Sequence, residues 1–278
     1  MTAAPAKYAD CVMQWLSELG YTHCYFVAGG NIMHLLDGAR TRMTCIPVVH
    51  EVAAGIAVEY FNESNGQGRA FALVTAGPGV TNILTAMAGA WLESRELLVL
   101  AGQVKSSDLA TDGIRQRGIQ EIDGVALANP VSKISQCITS PISANEFATA
   151  VLESRRNRQG PVFLEFCLDA QGAPVNGLSL GSLSDVDTYV GPDRSLIQTA
   201  RSVSPAIVER LKNSERPVLL LGGGVSRDTA RELEAELAHL NVPVMTTWNG
   251  TDRIDSDASN YFGRPNTWGQ RHANIIMS

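Results

Sequence analysis

The sequence has no Cys-x-x-Cys pair, no apolar run long enough to span a bilayer and no excess of basic charge. Its five cysteines, Cys11, Cys24, Cys45, Cys137 and Cys167, are dispersed and odd in number. Such a set speaks against a disulfide framework or a zinc site and reads as reduced core thiols in a cytoplasmic protein. The longest apolar stretches, "ELLVLAG" and "RPVLLLGGG", fall well short of the roughly 20 residues a membrane helix needs. Net charge is −6, with acids and bases intermixed. No basic stripe or tail offers itself to nucleic acid or to an anionic membrane. The opening "MTAAPAKYAD" lacks the basic-then-apolar pattern of a secretory signal. The histidines, His23, His34, His50, His239 and His272, show no metal-ligand spacing with acids or cysteines, so no protein-built metal site is expected.

What is present is a regular alternation. Over residues 1–168, short apolar strands ("HCYFVAG", "CIPVV", "RAFALVTAG", "LLVLAGQ", "PVFLEF") alternate with helical patterns. Strands that are apolar throughout, separated by helices, predict a doubly wound parallel α/β sheet covered on both faces. Residues 104–125 interrupt the pattern with a long polar stretch, and loops of that length in compact domains are usually functional or disordered. Residues 169–199, rich in Gly, Pro, Ser and Asp, read as a linker. Residues 200–278 then begin a second α/β unit: a helix over "PAIVERLKN", a strand "PVLLLGGG", a helix "DTARELEAELAHL" and a strand "VPVMTTW". Two strands and their helices cannot cover both faces of such a sheet, so this unit is expected to be incomplete.

In parallel α/β sheets, ligands bind at the carboxyl ends of the strands. Three elements fall there in the first unit. Gly29 and Gly30 follow the first strand, Glu51 follows the second, and Pro78, Gly79 and Asn82 follow the third. Taken singly, each has an ordinary explanation. A glycine turn serves strand-to-helix geometry, and a glutamate in a first helical turn complements the helix dipole. His50, beside Glu51, reads as a hydrogen-bonded strand-end histidine and not as a second base.

The motifs together, "AGG", "HE", "VTAGPGVTN", "LAGQV", "TDG" and "IQEID…NPVSK", occur in one order. In that order the chain resembles thiamine-diphosphate-dependent enzymes, and among them the acetolactate synthase group. The resemblance runs from about residue 5 to the end of the chain, continuing through "LLLGGGV", "VPVMTTWNG" and "FGRPNTWGQRHAN". It implies a pyrimidine-binding domain over 1–168 and the first part of the family's middle domain over 200–278. It also implies that Glu51 hydrogen-bonds the cofactor's aminopyrimidine nitrogen and acts as a proton relay. Gly29, Gly30, Pro78, Gly79 and Asn82 are implied to line the pyrimidine site. Gln120 is implied to face the substrate, and Ile119 stands where acetolactate synthases carry phenylalanine. The "IRQRG" insertion places Arg115 and Arg117 in the long loop, where they would clamp a carboxylate or phosphate or else make a loop salt bridge or subunit contact.

The "LGGGVSRD" turn has Arg227 in place of the third glycine of a dinucleotide fingerprint. With "TTWNG" and "GRPNTWGQ" it suggests that Gly222, Gly223 and Gly224 belong to a site for FAD or ADP, or to a turn that has lost its ligand. The resemblance implies that the diphosphate and its Mg²⁺ are held by a third domain with a Gly-Asp-Gly motif; no such motif occurs here, so that domain is expected to lie outside this chain. The expected reaction is decarboxylation of a 2-keto acid with carboligation, a transferase or lyase activity, in a homodimer, a homotetramer or a complex with a second chain. Alternatives are a benzaldehyde lyase-like or oxalyl-CoA decarboxylase-like reaction, a non-catalytic nucleotide-binding paralogue, or a fragment.

Overall fold

The computed structural model describes residues 7–64, 68–111, 113–191 and 193–278. Asp112, the centre of the "TDG" motif, lies outside them. The chain divides into two compact units, Met1–Gly191 and Pro192–Ser278.

The first unit is built on six strands: β1 (Tyr21–Phe26), β2 (Thr44–Pro47), β3 (Arg69–Val74), β4 (Leu97–Gln103), β5 (Ile134–Ile138) and β6 (Pro161–Cys167). All neighbours pair in parallel, in the order β2-β1-β3-β4-β6-β5. Helices α1 (Tyr8–Glu18), α2 (Met33–Ala39), α3 (Glu51–Ser64), α4 (Pro78–Glu93), α5 (Gly124–Ala128), α6 (Ala144–Glu153) and α7 (Leu168–Gly172) accompany the sheet.

Both faces are buried, as apolar-throughout strands require. On β3, Phe71 and Leu73 join one core with Trp15 and Leu16 of α1 and Phe147 of α6. The alternate residues Ala72 and Val74 join the other core, with Val58 of α3 and Ile83 and Met87 of α4. This is the period of two expected for side chains along a strand. The chain runs from β1 to β2 on one side of β1 and then crosses to β3 on its other side. That reversal is the topological switch point at which open α/β sheets form a ligand crevice.

One strand escapes the sequence pattern. β5 reads Ile-Ser-Gln-Cys-Ile and is only partly buried, at one edge of the sheet, with Gln136 exposed. Residues 169–199, expected as a linker, divide between the two units. Ala173, Val175, Leu180, Leu183, Val186 and Val190 pack on the first unit's core, so the segment to 191 is part of that unit.

In the second unit, α8 (Arg194–Lys212) begins well before the expected helix, and Asp193 caps it by accepting a hydrogen bond from the Ser195 N–H at 2.7 Å. Pro205 sits inside this exposed helix. β7 (Leu219–Leu221) and β8 (Val244–Thr246) pair in parallel. The long helix read over "DTARELEAELAHL" is two short ones, α9 (Arg227–Glu232) and α10 (Glu234–His239), and α11 (Arg271–Met277) follows later.

Candidate active site at the carboxyl ends of the strands

The centre of the candidate site is built by a close helix crossing. At Gly55 of α3, a Cβ would stand 2.4 Å from the Cβ of Ala86 on α4, so only glycine allows the two helices to approach this far. One turn toward the N-terminus of each helix lie Glu51 and Asn82. There the Asn82 side-chain amide donates to Glu51 Oε2 at 2.9 Å. Glu51 is the first residue of α3 and is 6 % exposed. Its other oxygen, Oε1, faces Gly79 and would lie 3.5 Å from a Cβ placed there. A buried carboxylate is therefore aimed across the first turn of α4 and held by an amide, at a helix N-terminus that favours negative charge. His50 is exposed and accepts the Val52 N–H on Nδ1 at 3.2 Å, so its ring caps α3.

Around this pair the structure brings together the residues that follow β1 and β3. A Cβ on Gly29 would fall 2.4 Å from the Cβ of Thr75, and one on Gly79 would fall 3.1 Å from Thr75 Cγ2. Thr75 Oγ1 is buried and has no hydrogen-bond partner among the described residues. Buried hydroxyls are nearly always satisfied, so an orphan packed between Gly29 and Gly79, close to Glu51, marks a place where a polar ligand atom would be welcome. The sequence reading missed Thr75; the available signal was a hydroxyl ending an otherwise apolar strand. Gly30 and Pro78 are exposed on the rim.

The described residues of the polar stretch after β4 form a loop tied together by hydrogen bonds. Gln103 anchors its two ends: its amide donates to the Ile122 carbonyl at 3.0 Å and its oxygen accepts from the Val104 N–H at 2.9 Å. Glu121 is the loop's hub. Its carboxylate accepts the backbone N–H groups of Ala110, of Arg117 at 2.7 Å and of Gly118 at 3.0 Å. Burial opposes its ionisation, but these N–H donors and the Arg117 charge hold it below the ordinary carboxylate range.

Gln120 next to it has φ +62, a left-handed conformation uncommon outside glycine, and its carbonyl packs on Gly77. Ile119 is 81 % exposed, and its carbonyl accepts from the Asn31 side chain at 3.4 Å. Arg115 and Arg117 are exposed on the same loop.

A second buried acid was also missed. Glu165 lies in mid-β6, 2 % exposed, and its Oε1 has no hydrogen-bond partner among the described residues. Burial above all, then the charge of Cys137, pushes it up to about 8 against the pull of a hydrogen bond from Gln103. The signal was a lone glutamate inside the apolar run "PVFLEF". A carboxyl whose folded-state pKa is raised contributes stability below its unfolded pKa, and loses that contribution as pH rises through the folded one. Its stabilising share should therefore fade between pH 4.5 and about 8. Glu165→Gln should flatten this part of the stability profile, read as urea midpoints from pH 5 to 8.

In the second unit, the turn Gly222–Gly224 after β7 abuts the turn Trp248–Gly250 after β8, where a Cβ on Gly223 would meet Asn249 at 2.9 Å. Arg227, in place of the fingerprint's third glycine, pairs with Asp252 and braces the turn. Trp248, Thr251, Arg264, Trp268, Gly269 and Gln270 line an open cleft of about 400 Å³.

Two family models match the chain in the expected order. Residues 6–127 match the N-terminal TPP-binding domain of thiamine pyrophosphate enzymes, and residues 205–278 match their central domain. The chain belongs to the thiamine pyrophosphate enzyme family.

Among curated relatives, it is 31 % identical over 264 residues to the acetolactate synthase of Arthrospira platensis, covering 90 % of this chain and 43 % of that protein. It is 28 % identical over 284 residues to the acetolactate synthase large subunit of Corynebacterium glutamicum, covering 96 % and 42 %. It is 28 % identical over 281 residues to a probable acetolactate synthase large subunit of Methanocaldococcus jannaschii, covering 98 % and 45 %. The chain thus spans less than half the length of these relatives. No helix among the described residues is long and apolar enough to cross a membrane.

Proposed function

We propose that this chain supplies the pyrimidine-binding half of a thiamine-diphosphate-dependent, acetolactate synthase-like enzyme that decarboxylates a 2-keto acid and transfers the acyl unit to a carbonyl acceptor. The observation that carries this reading is the buried Glu51 carboxylate at the switch point, held by Asn82 over Gly79. Three features suit an aminopyrimidine: the Glu51 carboxyl for a ring nitrogen, the small residues Gly29 and Gly79 packed on Thr75 beside it, and the orphan hydroxyl of Thr75. When bound, thiamine diphosphate supplies the electron sink for the decarboxylation.

This chain's own residues do the rest. Glu51 exchanges a proton with the ring nitrogen, and Asn82 keeps its carboxyl aimed. Gly29, Gly30, Pro78 and Gly79 shape the wall. Gln120, fixed against Gly77, and Ile119 face the substrate side, so Ile119 in place of an aromatic residue tunes which acceptor fits. Arg115 and Arg117 stand in solvent where they can attract an anionic substrate.

Residues 1–278 hold no Gly-Asp-Gly motif, so Mg²⁺ and the diphosphate would be held by residues beyond these, in an assembly of two or four copies or with a second polypeptide. In the second unit, the Gly222–Gly224 turn and the tryptophan- and arginine-lined cleft suit FAD or ADP, since indole faces stack on planar rings and a guanidinium pairs with phosphate. The free state of all five cysteines suits a cytoplasmic setting.

Product analysis of the enzyme, completed with a diphosphate-binding domain and fed pyruvate with and without an aldehyde, tests the reading. A hydroxyketone or acetohydroxy acid product is expected. Decarboxylation alone, or cleavage of a hydroxyketone, would move the protein to the oxalyl-CoA decarboxylase-like or benzaldehyde lyase-like reading.

A further inference from the structure

The first unit carries two pairs of neighbouring cysteines, one toward each edge of the sheet. On the β2 edge, Cys24 of β1 and Cys45 of β2 are direct partners in the parallel ladder. Directly paired residues of adjacent strands point to the same face, and both thiols pack on the core formed by α1, α2 and α6. At the other edge, Cys137 of β5 and Cys167 of β6 have sulfurs 4.0 Å apart. There, however, the ladder partner of Cys137 is Glu165, so the two cysteines are offset along the strands.

This difference in register decides which pair can be bridged. Neighbouring strands lie about 4.8 Å apart, so a directly paired couple has its Cα atoms inside the 4.4–6.8 Å window of disulfides. A two-residue offset adds about 6.6 Å along the strand, which puts the Cα atoms roughly 8 Å apart and outside that window. Access differs within the first pair too. Cys24 is completely buried, whereas Cys45 is half-buried on the edge strand.

We propose that Cys24 and Cys45 form a reversible thiol–disulfide site, closed by a low-molecular-weight disulfide, on the edge strand that leads into Glu51. The chemistry balances without any further reagent. The Cys45 thiolate attacks one sulfur of the small disulfide and releases one small thiolate. That thiolate takes the Cys24 proton, and the Cys24 thiolate then attacks the Cys45 sulfur and expels the second small group as a thiolate, which takes back from solvent the proton Cys45 gave up. Two protein thiols are oxidised to one disulfide, and one small disulfide is reduced to two thiols. The neighbouring thiol prepares the attacking group: a hydrogen bond from Cys24 holds Cys45 down at about 7 against the effect of burial, while Cys24 itself is pushed well up.

The test is to incubate the 278-residue chain with glutathione disulfide and to map its cysteines by mass spectrometry under non-reducing conditions. The expected result is a Cys24–Cys45 cross-linked peptide, a mass lower by the two thiol hydrogens, and full reversal by dithiothreitol. Cys45→Ser should abolish the cross-link, and Cys137→Ser should leave it unchanged. A cross-link at Cys137–Cys167, a glutathione adduct that persists on Cys45, or five thiols unchanged after prolonged incubation would each overturn the proposal. Because the wild-type chain is the primary sample, a variant that fails to fold does not obscure the outcome.

Discussion

Glu51→Gln should lower the exchange of the C2 proton of bound thiamine diphosphate by about 10²–10⁴-fold, the usual contribution of a positioned acid–base group. The measurement is hydrogen–deuterium exchange followed by proton NMR on enzyme completed with a diphosphate-binding domain. Glutamine keeps the size of the side chain and can still take up the Asn82 contact, so the packing of α3 on α4 should survive. What it loses is the ability to move a proton. Asn82→Ala provides the contrast: the carboxyl remains but loses its holder, and a smaller fall in exchange is expected. Unchanged exchange in Glu51→Gln would remove Glu51 from the reaction.

Gly77→Ala should destabilise the first unit by about 3 kcal/mol, because it adds backbone strain to overpacking. Gly77 has φ +65 and ψ −116, a combination closed to residues with a Cβ. An added Cβ would stand 2.5 Å from the Gln120 carbonyl, a backbone atom that cannot swing aside. The same clash would lift the Gln120 end of the loop from the carboxyl edge of the sheet. Trypsin should then cut faster after the exposed Arg115 and Arg117. Gly30→Ala is the control, since a Cβ there meets nothing within 4 Å, and its unfolding midpoint should barely move. Equal midpoints for the two variants would contradict the packing described for Gly77.

Much of this architecture could be read directly from the residues. β3, β4 and β6 announce themselves as apolar runs because a strand covered on both faces has no polar side to show, while β2, at a sheet edge and partly exposed, is apolar all the same. β5 hid because Ser135 and Gln136 interrupt its apolar pattern: Gln136 is exposed, and Ser135 is half-buried and donates to the Val125 carbonyl at 2.8 Å. The early start of α8 hid behind Pro205, which looked like a first-turn proline, although Asp193 was a legible N-cap. The break between α9 and α10 at Leu233 has no glycine or proline to mark it.

In the candidate site, the residues named from the motif order were visible one by one, but their relations were not. The Asn82–Glu51 contact depends on how closely α3 and α4 cross, which Gly55 and Ala86 set through a tertiary approach that spacing along the chain cannot express. Thr75 and Glu165 carry meaning only through what surrounds them, an orphan hydroxyl in one case and a desolvated carboxyl in the other. The Cys24–Cys45 pair depends on the strand register, and so looked like two scattered thiols.

The central claim is that the crevice between Gly29, Glu51 and Gly79 receives an aminopyrimidine. Saturation-transfer NMR on this chain with thiamine, which lacks the diphosphate, tests it most directly. Transfer to the aminopyrimidine protons is expected, weak on the thiazolium and lost in Glu51→Ala. Transfer of equal strength in the wild type and in Glu51→Ala, or confined to the thiazolium, would contradict it.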